Sequence, residues 1–391
     1  MECRPAECQT SFVFLQGFVS TEYAMLKLFV IATFLISALV GRLTIPKIIL
    51  IAKKKKLFDE FSERKLHHTN IPRLGGVAFF PAFLFSVSLM MGLRYYLGYD
   101  ITATALETDV FREIMFLIAG STFIFFTGLS DDLSGVSYKS KFVMQIAVAI
   151  LLIFGGIGIE NLGGLFGLYQ IPVWAGCILT VLVVVLLVNA YNLIDGIDGL
   201  CSGLALLALG TLGGWFCWNE LYVYGMMTMG IAGVVSVFFF YNVSGKRMKI
   251  FMGDTGSLTL GYLIAFFGLE FYNMNINTDM FHIRSAPAVF LGMVFIPAFD
   301  TLRVFCVRIK AGLSPFYPDK RHIHHKMLRI GLTHFRSAMV IIALQAGFIL
   351  LNILLKDLNI NLLFAIDIVL GILLIRLLDI LGNRKTNPTG K

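Results

Sequence analysis

The sequence predicts an all-α, polytopic membrane protein of about eleven transmembrane helices, with its N-terminus outside and its C-terminus in the cytoplasm. Three observations predict it. The first is composition: 57% of the 391 residues are hydrophobic and only 14% charged, whereas soluble domains carry about 25% charged residues. The second is the recurrence of apolar runs, most of about 18 residues or more, long enough for a helix to cross a hydrocarbon core of roughly 30 Å. They fall near 26–50, 75–93, 112–129, 141–157, 171–190, 200–217, 222–241, 257–272, 286–306, 336–354 and 360–381. The third is the strict alternation of the loops between them. One set holds K-K-K-K at 53–56, R-K at 64–65, Y-K-S-K at 138–141, G-K-R-M-K at 245–249 and the stretch from Arg308 to Arg336. The other set (94–111, 158–170, 218–221, 273–285, 355–359) nearly lacks Lys and Arg. Basic loops stay on the cytoplasmic side, which fixes the orientation of every span.

A single membrane domain over 25–382 is expected, with cytoplasmic loops near 51–74, 130–141, 191–200, 242–256 and 307–335 and a tail over 383–391. Residues 1–24 form a leader of uncertain role: the apolar patch S-F-V-F-L is short and flanked by acids, unlike a signal peptide, and M-L-K-L-F-V at Met25 reads as a natural start. None of the six cysteines forms a C-x-x-C pair, and they read as small buried hydrophobes. The net charge of +8 follows from topology and contact with anionic membrane lipids. No aromatic-interleaved basic module points to nucleic acid.

Charged groups are costly at bilayer depth, at least about 2.5 kcal/mol each, so their positions are informative. Asp131 and Asp132 end the third span in G-L-S-D-D-L-S-G. Asn189, Asn192, Asp195 and Asp198 end the fifth in N-A-Y-N-L-I-D-G-I-D-G-L. Asp254 opens the eighth in F-M-G-D-T-G-S-L, Asp300 lies towards the inner end of the ninth, and His322, His324 and His325 lie in P-D-K-R-H-I-H-H-K. All fall on the predicted cytoplasmic face, which points to one composite site. Each motif also has a plainer reading. The Asp131–Asp132 pair could end a helix in solvent, although adjacent carboxylates repel unless a cation sits nearby. The 189–198 run steps by three and drifts around an ideal helix, with Gly196 and Gly199 permitting a turn; capping alone needs one such residue, not four. G-D-T-G-S-L offers Thr255 or Ser257 as a helix cap and a helix N-terminus suited to phosphate, with Asp254 available to a divalent cation; it is no P-loop. The spacing of H-I-H-H is weak for zinc, and Lys320, Arg321 and Lys326 around it favour an anion-binding or headgroup-contacting loop.

Five motifs together carry a resemblance: R-K-L-H-H-T-N-I-P-R-L-G-G, the D-D pair followed by K-F-V-M-Q, N-L-I-D-G-I-D-G-L, I-F-M-G-D-T-G-S-L and S-P-F-Y-P-D-K-R-H-I-H-H-K-M-L. In this order, over about 26–380, the chain resembles the polyprenyl-phosphate N-acetylhexosamine-1-phosphate transferases. P-R-L-G-G and H-I-H-H are similar to the branch that uses UDP-GlcNAc rather than to the related phospho-MurNAc-pentapeptide translocase. The resemblance implies transfer of GlcNAc 1-phosphate from UDP-GlcNAc to undecaprenyl phosphate with release of UMP, Mg²⁺ as cofactor with Mn²⁺ as a substitute, a bacterial inner-membrane location and a frequent homodimer. It also implies roles. Asp254 is matched to the principal metal ligand, with Asn192 near the metal. Asp131 and Asp132 match the essential acidic pair, and Asp195 and Asp198 match catalytic positions near the nucleotide. Lys141 would hold a phosphate, Phe251 would stack on uracil, and Arg321, His322, His324 and His325 would grip the diphosphate and sugar, with Arg73 as a further substrate contact. Here Y-N-V-S-G-K-R-M-K, without proline, precedes I-F-M-G-D, which leaves the place of Asn242 open.

Two other classes set the comparison. A transporter of cations or phosphorylated solutes would place its acids near the bilayer midplane and often show inverted repeats. A lipid-binding scaffold would not need acids converging with a histidine loop. The sugar itself (GlcNAc, or another UDP-HexNAc of the FucNAc or QuiNAc type) and the downstream polymer are not written in these motifs.

Overall fold

The computed structural model describes residues 5–57, 71–99, 107–244, 248–277, 283–314 and 321–386, with 5–23, 107–109, 277 and 384–386 described by backbone alone. The arginine and lysine at 64–65, the first residues of the 245–249 basic loop, Lys320 and the end of the tail lie outside the described residues.

The chain is helical almost throughout: α1 (Pro5–Lys54), α2 (Phe79–Tyr96), α3 (Glu107–Ser134), α4 (Tyr138–Phe154), α5 (Val173–Ile194), α6 (Leu200–Trp218), α7 (Tyr222–Ser244), α8 (Gly253–Asn277), α9 (Ala286–Met293), α10 (Phe295–Lys310), α11 (Ile323–Ile330), α12 (His334–Leu354) and α13 (Ile360–Thr386). This is the economical answer to lipid, where each backbone polar group must be satisfied internally. Every predicted apolar run is helical. Among the described residues eight helices are long and apolar enough to span a membrane, or nine with α9 and α10 counted as one broken span. Of the others, α4 has 17 residues. The helix α8 is buried over almost its whole length. It packs on α3, α5, α6 and α9, so Thr255, Ser257, Thr259 and Asn275 are buried against protein.

Two features depart from uninterrupted spans. The predicted ninth span bends by 84° between α9 and α10. Pro297 has no N–H, and its ring would conflict with the carbonyl four residues back, so the helix breaks at Val294 (φ −124°, ψ 19°). Gln345 of α12, buried, mends the break: its amide donates to the Gly292 carbonyl (2.7 Å) and its carbonyl accepts from the Ile296 N–H (2.9 Å). The second feature is a short antiparallel hairpin, β1 (Asn161–Leu165) and β2 (Leu168–Gln170). It is tied to α8 through Tyr272 and to α13 through Asn361.

The C-terminal ends of α3, α5, α7 and α10 meet the N-terminal ends of α4, α8 and α11 at the end of the bundle away from this hairpin. The polar motifs lie there.

Candidate active site

The segment Ile71–Gly76 runs beside Ile250–Met252. The Phe251 N–H donates to the Pro72 carbonyl (2.8 Å), and the N–H groups of Gly75 and Gly76 donate to Phe251 and Met252 (2.9 and 2.8 Å). This short ladder joins P-R-L-G-G to F-M-G-D and sets Arg73 beside Asp254, 4.0 Å from its Oδ1. Gly253 sits between them at φ +75°, a conformation that costs other residues roughly 1–2 kcal/mol. A Cβ there would lie 2.1 Å from the Arg73 carbonyl and 2.6 Å from the Asp132 carboxylate, so only glycine fits.

Asp132 caps α8 from another helix. Its carboxylate accepts the N–H groups of Asp254 (2.8 Å) and Thr255 (2.9 Å) and the Thr255 hydroxyl (2.6 Å). The expected local caps are therefore corrected: Thr255 donates to Asp132, and the Ser257 hydroxyl donates back to the Gly253 carbonyl (3.1 Å). The phosphate cradle expected at this helix start is likewise filled by a protein carboxylate.

Its neighbour Asp131 faces the other way. Lys141 of α4 lies between two carboxylates, 2.6 Å from Asp131 Oδ2 and 2.5 Å from Asp254 Oδ2. Asp131 Oδ1 accepts the Val136 N–H (2.7 Å), which folds the α3–α4 turn under the site. Asn192, two residues before the end of α5, donates to Asp254 Oδ1 (3.1 Å) and Ser257 (2.9 Å). Arg73, Asp131, Asp132, Lys141, Asn192 and Asp254 are thus one connected cluster.

The rest of the 189–198 run divides. Asn189 turns away, its amide bonded to Gln145 (2.6 Å) and to the Val185 carbonyl (2.8 Å). Asp195, just past α5, has no side-chain hydrogen bond among the described residues. Burial and the neighbouring Asp254 carboxylate push its carboxyl up to about 7, and Asp198 and Asp132 add to this against Arg73. Asp198 pairs with Lys249 (2.5 Å), whose ammonium lies 5.9 Å from the centre of the Phe251 ring. The place of Asn242 is now clear: it accepts the Gly199 N–H (2.6 Å) and donates to the Ile250 carbonyl (2.9 Å), lacing the two motifs together.

The histidine loop is anchored by Asp300, at 1% exposure. This carboxylate accepts from His322 Nδ1 (2.9 Å), from the Ile323 N–H at the start of α11 (3.1 Å) and from Arg303 (2.7 Å). The His322 Nδ1 therefore carries the proton, and its Nε2 faces Arg308 at 3.5 Å. His324 packs onto Gly196, where a Cβ would lie 2.4 Å from its Nε2; this brings the histidine loop against Asp195. Burial, with His325 and His322 adding, pushes the His324 imidazole down to about 3, so it is neutral at pH 7. The three rings lie one beside the next, His324 and His325 at 4.2 Å between centres. Arg321 presents its backbone carbonyl to Arg303 (2.6 Å).

Sequence reasoning did not single out Lys249 or Arg303, offered Ser257 only as a helix cap, and noted Asp300 only for its position. The available signal was a carboxylate inside the apolar run that ends just before the histidine loop.

Among the described residues no three His, Cys, Asp or Glu side chains form a ready-made metal cage. The donors fit Mg²⁺ in another way. Mg²⁺ keeps several waters and takes one or two carboxylates plus substrate phosphates. Asp254 and Asp131 offer hard oxygens, and the cluster already holds a cation, Lys141, between them.

Residues 114–272 match the model of glycosyl transferase family 4. The chain is 31% identical over 366 residues to a probable undecaprenyl-phosphate N-acetylglucosaminyl 1-phosphate transferase of Bacillus subtilis, covering 93% of this chain and 95% of that one. The chain belongs to this transferase family. It is also 29% identical over 301 residues to the undecaprenyl-phosphate alpha-N-acetylglucosaminyl 1-phosphate transferase of Escherichia coli K12, covering 76% of each. The family match spans α3 to α8, which carry Asp131, Asp132, Lys141, Asn192, Asp195, Asp198 and Asp254. Arg73 and the histidine loop lie outside it.

Proposed function

We propose that this protein transfers an N-acetylhexosamine 1-phosphate, GlcNAc 1-phosphate first among them, from a UDP-sugar to undecaprenyl phosphate and releases UMP. One observation carries the reading. A cluster of carboxylates and cations, with a histidine loop packed against it, sits at one end of a helical bundle whose family relatives are named for this reaction. One substrate is a lipid and the other a cytosolic nucleotide, so a site at a bundle end suits both.

The reaction is a displacement at phosphorus. A lipid phosphate oxygen bonds to the β-phosphorus, the one bearing the sugar; the bond from that phosphorus to the bridging oxygen breaks, and UMP leaves with that oxygen. With a second pKa near 6, the lipid phosphate is mostly dianionic at pH 7 and needs little help from a base, which favours direct attack over a covalent aspartyl intermediate. Such transfers depend chiefly on positioning and charge neutralisation. Lys141 and Arg73 supply positive charge beside the reacting phosphates. Phe251, with Lys249 beside its ring, offers an apolar face to uracil. Asp195 and Asp198 border the nucleotide, and Arg321 with His322, His324 and His325 closes over the diphosphate and sugar. A divalent cation held by Asp254, with Asn192 beside it, would supply further neutralisation of the diphosphate.

In the same reading the chain makes eleven crossings, with the N-terminus outside and the site on the cytoplasmic face of a bacterial inner membrane. The test uses purified full-length chain, undecaprenyl phosphate, Mg²⁺ and labelled UDP-GlcNAc. Label entering the lipid with UMP release, abolished by EDTA, is the expected result. Turnover with another UDP-HexNAc alone would change the sugar. No turnover with any UDP-sugar in folded protein would sink the reading.

A further inference from the structure

Beyond the Asp254 cluster, α10, α11 and α13 line a half-open cavity of about 670 Å³. Six cations line it: Arg303, Lys310, Arg321, Lys326, Arg329 and Arg376. One carboxylate, Asp379, faces them, and it is already engaged by Lys326 and by Arg329 at 3.2 Å. Arg303 is held by Asp300. Lys310 and Arg376 are exposed and make no ion pair or hydrogen bond among the described residues. Arg321 and His325, which also line the cavity, belong to the histidine loop of the catalytic reading, but Lys310, Lys326, Arg329 and Arg376 do not: His324 turns from α11 towards Gly196, whereas these four cations gather where α10, α11 and α13 meet.

The remaining wall is apolar. Phe299 and Val307 come from α10, Ile372 and Ile375 from α13. Ile372 is 45% exposed and lies on an outer face of α13 that includes Val369, Leu373 and Leu377. The cavity thus pairs a cationic head with an apolar flank, between two helices whose outer residues suit lipid chains. That combination matches an amphiphile with an anionic head.

We infer that this cavity is a binding site for the phosphate headgroup of an anionic membrane phospholipid, with its acyl chains lying along α10 and α13. Free inorganic phosphate shares the head chemistry but has nothing to place on the apolar flank.

The experiment measures the thermal midpoint of the full-length chain in neutral detergent. Phosphatidylglycerol, phosphatidylcholine and inorganic phosphate are titrated separately, without UDP-sugar. The comparison protein is the double variant Lys310→Gln, Arg376→Gln, whose two side chains hold no partner in the fold; its midpoint without lipid should equal that of the parent. Phosphatidylglycerol is expected to raise the parent's midpoint in a saturable way, with phosphatidylcholine giving a smaller shift. The variant should need roughly twenty-five-fold more phosphatidylglycerol for the same rise, given that each of the two basic residues near an anionic lipid surface contributes roughly a factor of five. Equal responses of parent and variant would overturn the inference, as would equal shifts from the two lipids. A full shift from inorganic phosphate alone would overturn the lipid assignment. None of these readouts depends on turnover, so failure of the transferase reading would leave the result interpretable.

Discussion

At the scale of single residues, the adjacent carboxylates Asp131 and Asp132 have different tasks although they share a motif. Asp131 shares Lys141 with Asp254, where a reacting phosphate or a cation would compete for it. Asp132 is saturated by three donors from the start of α8 and acts by fixing where Asp254 stands. Asp132→Asn keeps the shape but loses acceptor capacity and charge. It should cost about 1–2 kcal/mol of stability, as lost N-caps do, and lower kcat more than it raises the KM for UDP-sugar. Asp254→Ala should abolish transfer while leaving the thermal midpoint within a few degrees of the parent; near-full activity would remove Asp254 from the metal role. Asp195 adds a pH signature. Its carboxyl titrates near 7 in the folded chain and near 3.9 when unfolded. Between those values the folded state holds a proton that the unfolded state has released, so this group lowers stability as pH rises. Metal-free Asp195→Asn should therefore gain on the parent from pH 5 to 7, on the order of 1 kcal/mol per pH unit, and the difference should level off above 7. A constant difference across that range would show that Asp195 is not held in this environment.

At the scale of elements, the division between what was legible in the sequence and what was not has a physical basis. The helices were legible because a bilayer leaves an apolar chain few alternatives, and basic residues mark one set of loops. Asp254 and Asn192 stood out because polar groups at either end of an apolar run are costly unless they do something, whereas Lys141 was marked only by the family resemblance. The break at Val294 was not. Pro297 gave a local signal, but prolines are tolerated in membrane helices when neighbours satisfy the freed groups, and the neighbour that does so, Gln345, lies 49 residues away. The cap on α8 was hidden for the same reason, since its acceptor is 122 residues from the amide it receives. The break is directly testable. Gln345→Leu keeps the bulk but leaves the Gly292 carbonyl and the Ile296 N–H without partners, at about 1–3 kcal/mol for each buried group. A fall in thermal midpoint is expected, with a parallel loss of activity because α10 carries Asp300 and hence the histidine loop. An unchanged midpoint would mean that other groups support the bend.

At the scale of the whole molecule, the arrangement is one-sided. Arg73, Asp131, Lys141, Asp195, Asp254 and the histidine loop come from six different stretches, yet all lie at one end of the bundle, with the β-hairpin at the other. A conduit would distribute its polar groups through the membrane; a transferase joining a lipid phosphate to a soluble nucleotide needs them at one surface. That surface carries the Lys53–Lys56 run, Lys249, Lys310 and Arg329, and in the proposed orientation the positive-inside rule would put it in the cytoplasm. The eleven crossings proposed above would then leave residues 218–221 and the hairpin on the outside and the C-terminus within. The expectation is checked in cells. A fluorescent protein fused after Lys391 should fluoresce, as folding in the cytoplasm allows, and alkaline phosphatase fused after Asn219 should be active, as export allows. A cysteine placed at Glu220 should react with a membrane-impermeant maleimide in intact cells, and one placed at Lys310 only after lysis. Reversed labelling would put the basic face outside, away from any cytosolic UDP-sugar, and the proposed reaction could not be retained with that orientation.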